Sequence, residues 1–274
     1  MEKPPEQSPA VLQNKTAIVL HWLLSFVLTT AAALEIVSFF ESVPFADQLS
    51  IAVISLAALG TLVSLWRQLP LQNVLLAAFG TALIGGGLSA LGARTGLPFG
   101  PFAFASGLGP VFFKTLPGTM PLIWIIIIFN SRGVARLVLR PWRKNKTYGY
   151  RVISLTGVLV LLFDIAFDPF ASRVKHFWLW SPMALKLTWE GAPLVNFFTW
   201  AAITLLTLLF VTPALIVKKP RVRGARHYHP LCVWLGSLVI FGTGCAVNGI
   251  WPPVFADSAM GLAVAVLAIR GAFW

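Results

Sequence analysis

Apolar stretches of about 20 residues alternate with short polar stretches along most of this chain. An α-helix rises about 1.5 Å per residue, so a run of that length can cross the hydrocarbon core of a bilayer. The pattern predicts an all-α fold, a polytopic transmembrane helical bundle of about eight spans. The predicted spans are 16–40, 48–66, 71–90, 117–139, 150–168, 194–217, 230–250 and 254–272.

The start of the chain and the fourth span refine this layout. Residues 1–14 are polar and contain three prolines, so we expect a cytoplasmic tail rather than a cleaved signal peptide. Residues 15–274 would then form a single integral membrane domain. Arg132 and Arg136 fall in the second half of the fourth span, and its membrane-embedded part should therefore end near Asn130.

The composition agrees with a membrane protein and argues against a soluble one. Hydrophobic residues make up 57% of the 274 residues and charged residues only 11%, which is too little polar surface to coat a soluble globule. The net charge is +12, but the basic residues occur in short blocks between apolar runs. We therefore expect them to orient the chain in the membrane and predict no nucleic-acid binding.

Lysine and arginine are distributed unequally between the two sides of the predicted membrane. Of the 21 such residues, those assigned to the outer side are Arg94, Lys114, Arg173, Lys175 and Lys186. All the others fall on the opposite side. Cytoplasmic loops are enriched in lysine and arginine, so we expect an integral protein of the inner (cytoplasmic) membrane with both termini in the cytoplasm.

Carboxylates show the opposite distribution. Apart from two in the tail, they lie in or near the outer half, namely Glu35, Glu41, Asp47, Asp164, Asp168, Glu190 and Asp257. Glu41 and Asp47 belong to an outer connection, where water can solvate them. Acid chemistry is therefore expected on the outer side.

Glu35 is a candidate functional acid because of its depth in the first span. It follows Lys15 by about 20 residues, or roughly 30 Å along a helix, which is near the outer edge of the hydrocarbon core. A carboxyl group at that depth usually faces a protein interior or a wet cavity. The alternative, equally open from the sequence, is that Glu35 reaches the lipid headgroups.

Asp164 and Asp168 are four residues apart and should lie next to each other on one helix face. Two carboxylates so placed in an apolar setting cannot both ionise cheaply, so one of them should keep its proton and be able to donate it. Because Asp168 precedes Pro169, it could instead be a polar residue at a helix end on the membrane surface. Asp164 lies deeper and is the stronger candidate.

The histidines and the glycine run give weaker indications of a functional site than the carboxylates do. His227 and His229 lie in a basic inner loop, where the simplest reading is a solvated patch facing the headgroups. No short motif supplies metal ligands, and we predict no metal site. The glycine run 85–87 is expected to permit close helix contact rather than to bind phosphate.

Two outer segments share an unusual composition. The first segment comprises residues 91–110. The second comprises residues 168–180 together with residues 189–200. Glycine and proline exclude long regular elements there, while phenylalanine, tryptophan and leucine are too apolar for a freely solvated loop. Such backbone is tolerated at membrane depth where it is buried in protein or lines a cavity. We expect two re-entrant or interfacial loops over the outer mouth of the bundle.

Short motifs in these segments, taken together and in order, resemble the membrane carotenoid-biosynthesis proteins typified by the carotenoid hydratases. They are R-T-G-x-P-F-G from Arg94, L-G-P from Leu108, D-x-x-x-D-P from Asp164, W-x-W from Trp178 and G-x-P-x-x-N-F-x-x-W from Gly191. The resemblance covers about residues 89–200. As a set the motifs are specific, whereas each alone is weak.

The resemblance implies a polytopic enzyme that adds water to the terminal double bond of an acyclic carotene end group, without an organic cofactor. The expected partners are the membrane, the lipid-soluble carotenoid and other pigment-synthesis enzymes. Hydration of such an alkene needs an acid, a placed water and surroundings that tolerate a tertiary cation. We expect Asp164 to be the acid and Asp168 the group that tunes it or orients water, with Glu35 in reserve.

The substrate-contacting residues follow from the same resemblance and from the aromatic content of the two loops. The motif positions carried over are Arg94, Thr95, Gly96, Pro98, Phe99, Gly100, Asn196 and Phe197. The expected walls of a lateral slot for the polyene are Phe99, Phe102, Phe104, Trp178, Trp180 and Trp189. For any one of these aromatic residues, a place in the interfacial aromatic belt is the competing interpretation.

The chain departs from the family pattern at several positions. Ser89 stands where many members carry a glutamate, and Phe102 and Phe104 stand where tyrosines are common. These differences leave open whether the reaction is hydration and which carotenoid is used. Glu190 lies where the family more often has an aromatic residue, and it is our candidate to replace the missing acid.

Two other classes of function remain open from the sequence. An ion-coupled transporter would also use acids within the membrane and re-entrant loops, although we detect no internal repeat of the kind common in transporters. A non-catalytic membrane subunit of a pigment-synthesis complex would agree with the departure at Ser89.

Overall fold

The computed structural model describes residues 9–41, 43–181, 187–216 and 227–274, and these contain eight long helices. All eight are long and apolar enough to cross a membrane, which confirms the predicted all-α polytopic bundle. The helices are α1 Pro9–Val37, α2 Ala46–Trp66, α3 Leu71–Thr95, α4 Thr119–Val138, α5 Tyr148–Pro169, α6 Leu194–Val211, α7 His229–Val247 and α8 Trp251–Ala272.

Several helix boundaries differ from those predicted, and the start of α1 and the end of α3 are two of them. Helix α1 begins at Pro9, inside the segment predicted as a tail, whose first eight residues lie outside the described part of the chain. Helix α3 continues to Thr95, so part of the segment expected to be irregular is regular helix. It ends at Gly96, whose φ of 75° is the left-handed conformation that favours glycine after a helix. Arg94 therefore belongs to the last turn of α3 rather than to a loop.

The sequence suggested that α5 ends before Pro169, but the helix continues past this residue. Pro169 adopts helical angles, and a π-helical turn, Phe170–Val174, extends the span. Proline has no N–H to donate to the carbonyl four residues earlier, which is that of Ile165. The indole Nε1 of Trp189 donates to this carbonyl oxygen at 3.1 Å, so the proline is accommodated without leaving the acceptor unpaired.

Short strands connect the two outer segments. β1 pairs antiparallel with β4, and β2 with β3 and β5 with β6 form small hairpins. Their bounds are β1 Phe102–Phe104, β2 Val111–Phe112, β3 Leu116–Pro117, β4 Trp178–Trp180, β5 Thr188–Trp189 and β6 Ala192–Pro193. The β1–β4 pair ties the two outer segments together, although they are far apart in sequence.

Helix α4 lies at the centre of the bundle, where it packs against α2, α3, α5, α7 and α8. Its contact with α3 depends on Gly85, because a Cβ atom there would overlap the indole ring of Trp124. This close approach confirms the structural role predicted for the glycine run.

The bundle has two different ends. We call the end that carries the segments 96–118, 175–181 and 187–193 the loop-covered end. We call the opposite end, which carries the connections 67–70, 139–147 and Thr212–Leu215, the basic end.

Candidate active site

The two aspartates of α5 lie buried at the loop-covered end and share one hydrogen-bond donor. Both residues are 0% exposed. Asn196, in the first turn of α6, donates through Nδ2 to Oδ2 of Asp164 at 2.9 Å and to Oδ2 of Asp168 at 3.0 Å. The expected neighbouring pair is therefore present, and one amide bridges it. Asp168 is not at the end of its helix, because a π-helical turn follows Pro169, and its side chain is fully buried in the protein.

The two carboxyl groups differ in their remaining contacts. Oδ1 of Asp168 accepts a hydrogen bond from the indole Nε1 of Trp180 at 3.0 Å. Oδ1 of Asp164 has no hydrogen-bond partner among the described residues. Asp168 thus receives two donors and Asp164 one. The two carboxyl groups therefore differ in their hydrogen-bond surroundings.

A small cavity, here called the aromatic pocket, adjoins the pair. Its aromatic walls are Phe99, Phe102, Phe104, Trp178, Trp180 and Trp200. The remaining lining comes from Ser89, Met120 and Asn196, and its volume is about 20 Å³. Trp180 and Asn196 line the pocket and also hydrogen-bond to Asp168, so the pocket and the carboxyl pair form one site.

Strand pairing places much of the aromatic wall. The β1–β4 register sets Phe102 opposite Trp180 and Phe104 opposite Trp178. The ring centroids of Phe102 and Trp180 are 5.4 Å apart, and those of Phe102 and Phe104 are 5.1 Å apart. Each strand alone is too short to hold these rings, so the site depends on both outer segments.

Sequence reasoning missed the tryptophans behind the pocket. Trp124 of α4 donates through Nε1 to Oγ of Ser89 at 2.9 Å and stacks on Trp200, with centroids 4.0 Å apart. Trp200 in turn donates to Oδ1 of Asn196 at 3.2 Å. A continuous series of contacts therefore runs from Ser89 to the bridging amide. Trp200 ends a recognised motif, but no local signal marked Trp124.

Glu35 is buried but lies apart from the aspartate pair. It is 2% exposed; Nζ of Lys175 lies 2.6 Å from its Oε1, and Oγ of Ser50 donates to the same oxygen at 2.7 Å. It therefore does not reach the headgroups as a free carboxylate. Nothing in the sequence around Lys175 or Ser50 indicated this partnership.

Glu35 lines a second cavity of about 80 Å³, which we call the apolar cavity. Its aromatic walls are Phe163, Phe167, Phe170, Phe177 and Phe241. Phe167 stands between this cavity and the aromatic pocket, because its ring centroid is 5.5 Å from that of Trp178 and 6.2 Å from that of Trp200. Asp164 lines neither cavity, so the described residues do not bring it together with Glu35 around a common space.

Arg94 and Thr95 do not line the aromatic pocket. Arg94 donates through Nε to Oγ1 of Thr115 at 3.0 Å and through Nη2 to the carbonyl of Phe113 at 3.1 Å. The hydroxyl of Thr95 donates to the carbonyl of Leu91 at 2.8 Å. Both side chains are exposed and stabilise the outer segment that supplies Phe99 and β1.

Trp189, Glu190 and Phe197 also lie outside the pocket. Nε1 of Trp189 donates to the carbonyl oxygen of Ile165, which lacks its usual helical donor because of Pro169. Phe197 is buried, at 3% exposure, and lines neither cavity. Glu190 forms an ion pair with Arg173, whose side chain is 47% exposed. Its position is that of a residue stabilising an outer turn.

The inner histidines differ from the predicted solvated patch. His227 and His229 are half-buried, and the ring of His229 lies 4.7 Å from that of His21 in α1. Burial, together with the nearby charge of Arg67, lowers the pKa of His227 to about 4. Among the described residues, no group of three or more His, Cys, Asp or Glu is placed to hold a metal ion.

Comparisons with known proteins identify relatives of this chain. The family model for carotenoid biosynthesis proteins matches residues 47–265, which is well over half of the sequence. Bisanhydrobacterioruberin hydratase from Haloarcula japonica is 28% identical over 106 residues, which cover 38% of this chain and 35% of that protein. The match thus spans about a third of the relative's length. No solved structure matches the chain.

Proposed function

The chain belongs to the carotenoid biosynthesis protein family, and we propose that it acts within that family as a carotenoid hydratase. In this proposal it adds water to the terminal double bond of an acyclic carotene end group and leaves a tertiary alcohol. The hydratase of Haloarcula japonica supports this assignment as a distant relative. The main structural support is the amide of Asn196, which bridges two fully buried aspartates beside an aromatic pocket.

Asp164 is the proton donor in this proposal, and Asp168 is its anionic neighbour. Hydrogen bonds to a carboxylate favour its charged form, and Asp168 receives one from Trp180 and one from Asn196. Asp164 receives only the bond from Asn196, so the single proton that the pair retains resides mainly on Asp164. A neutral carboxylic acid in an apolar setting can protonate an alkene carbon.

The aromatic pocket supplies the other two requirements of hydration. Its volume of about 20 Å³ is enough for about one water molecule, and Ser89 and Asn196 provide polar contacts. The surrounding ring faces stabilise a tertiary carbocation, as they do other cations. Asp164 does not itself line the pocket, and the end group is larger than this volume, so side chains around the pocket must shift before the alkene reaches the acid.

The atoms of the proposed step balance without a cofactor. The proton of Asp164 is transferred to the less substituted alkene carbon, and the π bond is lost as a tertiary cation forms. The oxygen of the water bonds to the cation and releases one proton to the carboxyl pair. The pair again holds one proton, and the net change is addition of H and OH across the double bond.

The positions of Ser89 and Glu190 bear on how many acidic side chains take part in the proposed reaction. The pocket contains Ser89 at the position where many family members carry a glutamate, and Ser89 accepts a hydrogen bond from Trp124. Glu190 is paired with Arg173 outside the pocket. We therefore propose that the aspartate pair performs the acid chemistry alone. A Glu190→Gln variant should keep full activity.

The setting of the reaction follows from the membrane topology. The chain is an integral membrane protein with eight candidate spans, and its substrate is lipid-soluble. We propose that it lies in the cytoplasmic membrane with both termini in the cytoplasm, because lysine and arginine concentrate at the basic end. A polyene would then reach the pocket laterally from the bilayer, where other pigment-synthesis enzymes also have access to it.

Expression in a host that accumulates an acyclic carotene tests the proposal. The wild-type chain should yield carotenoids heavier by one water, detected by liquid chromatography with mass spectrometry. Asp164→Asn should lower this yield by roughly 10²- to 10⁴-fold, the usual contribution of a general acid. Asp257→Asn is the matched control, because Asp257 is also a buried membrane carboxyl, at 4% exposure, but lines a groove between α7 and α8.

Each outcome is informative when the protein content of the membranes is equal. Full activity of Asp164→Asn would reject the assignment of the acid. Equal loss in both variants would indicate a general effect on folding. Unchanged pigment with the wild-type chain would instead favour a transporter or a non-catalytic subunit of a pigment-synthesis complex.

A further inference from the structure

A third cavity lies at the basic end, remote from the carboxyl pair. It is bounded by the end of α2, the second half of α4, the turn that follows α4 and the start of α7. Its volume is about 350 Å³. The arginines that line this basic cavity are Arg132, Arg136, Arg140 and Arg143, and its other polar side chains are Thr61, Ser64, Gln68, Asn130, Tyr148 and His227.

The four arginines of the basic cavity have no carboxylate partner in the described structure. None of the cavity's lining residues is an aspartate or a glutamate. The ion pairs of the described carboxylates Glu35 and Glu190 lie at the loop-covered end and involve other cations. Four guanidinium groups around one space repel each other, and an anion between them would remove that cost.

The buried side chain of Arg132 is the strongest indication of an anion-binding site in this cavity. Its side chain is buried, at 9% exposure, and Nη2 donates to the carbonyl of Leu215 at a long 3.3 Å. A guanidinium group has five N–H donors and cannot lose its charge in a protein. With this one weak hydrogen bond within the described part of the chain, most of these donors are available to a ligand.

Two further polar groups of the cavity lack partners. Asn130 is 1% exposed, and its Nδ2 is committed to Thr61 and to the carbonyl of Ile126, but its Oδ1 accepts no hydrogen bond within the described structure. Both ring nitrogens of His227 are likewise without a described partner. A buried acceptor beside a cluster of cations suits a ligand that carries hydroxyl groups as well as negative charge.

We propose that the basic cavity binds a phosphate ester, specifically the headgroup of an anionic phospholipid such as phosphatidylglycerol. Arginine recognises phosphate through paired hydrogen bonds, and the glycerol hydroxyls can donate to Oδ1 of Asn130. The cavity lies where the spans end, which is the depth of lipid headgroups, and Arg136 and Arg143 are exposed at its mouth. This proposal does not depend on the reaction at the other end.

Binding by the purified full-length chain, stripped of lipid in detergent, tests the proposal. The probes are dioleoylphosphatidylglycerol, dioleoylphosphatidylcholine, inorganic phosphate and pyrophosphate, and the readouts are bound lipid by native mass spectrometry and the shift in thermal midpoint. Phosphatidylglycerol should bind and stabilise the wild type. Phosphatidylcholine should bind much more weakly, because its choline cation would face four arginines.

A pair of triple variants separates a specific site from general charge. Arg136, Arg140 and Arg143 changed to Gln should weaken phosphatidylglycerol binding at least about tenfold, since charge-assisted hydrogen bonds contribute about 1.5–3 kcal/mol each. The matched control changes Lys144, Lys146 and Arg151 to Gln. It removes the same charge from exposed residues at the same end, outside the cavity, and should bind as the wild type does.

Gln68→Glu is a second variant, for use if the triple arginine variant folds poorly. The new carboxylate would lie inside the cavity and pair with the arginines, so the lipid-free protein should be at least as stable as the wild type. Its affinity for phosphatidylglycerol should nevertheless fall at least about tenfold.

The outcomes are distinct. Binding of phosphatidylglycerol that is lost in the cavity variants and kept in the control triple supports the proposal. The same pattern for phosphate or pyrophosphate, without lipid binding, would retain the phosphate site but reject the lipid. Equal losses in both triple variants, or unchanged binding in Gln68→Glu, would overturn it.

Discussion

The loop-covered end and the basic end of this bundle deal with buried charge in opposite ways. At the loop-covered end, Glu35 has Lys175 as a partner, and the two aspartates of α5 share the amide of Asn196. At the basic end, the buried guanidinium of Arg132 has, among the described residues, only a long hydrogen bond to a carbonyl. The loop-covered end thus provides at least one partner within the protein for each of these three carboxyl groups. Among the described residues, the basic end provides no carboxylate for Arg132.

This difference indicates what each end can do. Polar groups that are satisfied within the protein can hold one proton in one place, which acid catalysis requires. Positive groups left without counter-charge attract an anion from the surroundings. Substitutions that remove or alter these internal partners test the contrast.

Replacement of Lys175 by Met should have the largest effect. It would give the loop-covered end an unpaired buried charge, because Glu35 is 2% exposed and would lose its cation. Loss of one partner of a buried ion pair costs about 3–5 kcal/mol, so the thermal midpoint in detergent should fall steeply. Adding Glu35→Gln should restore most of the loss; no restoration would mean that Lys175 acts through other contacts.

Replacement of Asn196 by Leu should abolish most of the proposed activity. The change is close in volume but removes the donor shared by Asp164 and Asp168. Loss of one positioned donor typically costs on the order of 10²–10³-fold in rate, measured here as hydrated carotenoid per unit of protein. Thr199→Val is the control, since it removes only a hydrogen bond to Pro98. Retained activity in Asn196→Leu would separate the amide from the chemistry.

Replacement of Gly85 by Ala should disturb the pocket through packing. The added methyl would displace Trp124, which stacks on Trp200 and donates to Ser89. Overpacking of this kind costs about 1–3 kcal/mol, and the intrinsic tryptophan fluorescence should change. Gly87→Ala is the matched control, because open space surrounds that position. Similar losses in both would point to the helix backbone rather than to the pocket.

Replacement of Arg173 by Gln should have the smallest effect. The pair between Arg173 and Glu190 is partly exposed, with the arginine side chain at 47%. Exposed ion pairs contribute about 0–1 kcal/mol, so the thermal midpoint and the carotenoid yield should stay close to those of the wild type. A loss comparable to that of Lys175→Met would contradict the distinction between the exposed and the buried pair.

Much of the architecture could be predicted from local patterns. Apolar runs of the right length marked all eight spans, and the four-residue spacing of Asp164 and Asp168 placed them on one face. The family resemblance identified Asn196 and most of the aromatic wall. The spans and the spacing of the aspartates depend on residues near each other in sequence, where helix geometry is the main determinant.

Other expectations failed because they depended on distant partners. Pro169 was expected to end its helix, but the indole of Trp189 supplies the hydrogen bond that the proline cannot make. Arg94, for which substrate contact stays a prediction, forms hydrogen bonds to Phe113 and Thr115 that its own sequence motif did not indicate. His227 was expected in water but is half-buried.

The sequence by itself determined the class of the protein, because hydrophobic length and charge bias are enough to select a membrane bundle and its ends. Only the tertiary structure decided which polar groups meet. The pairing of β1 with β4, of Lys175 with Glu35 and of Asn196 with the aspartates joins residues far apart along the chain. Hydropathy and helical period describe one segment at a time. They therefore contain no information on which side chain of another segment pairs with a given donor, acceptor or charge.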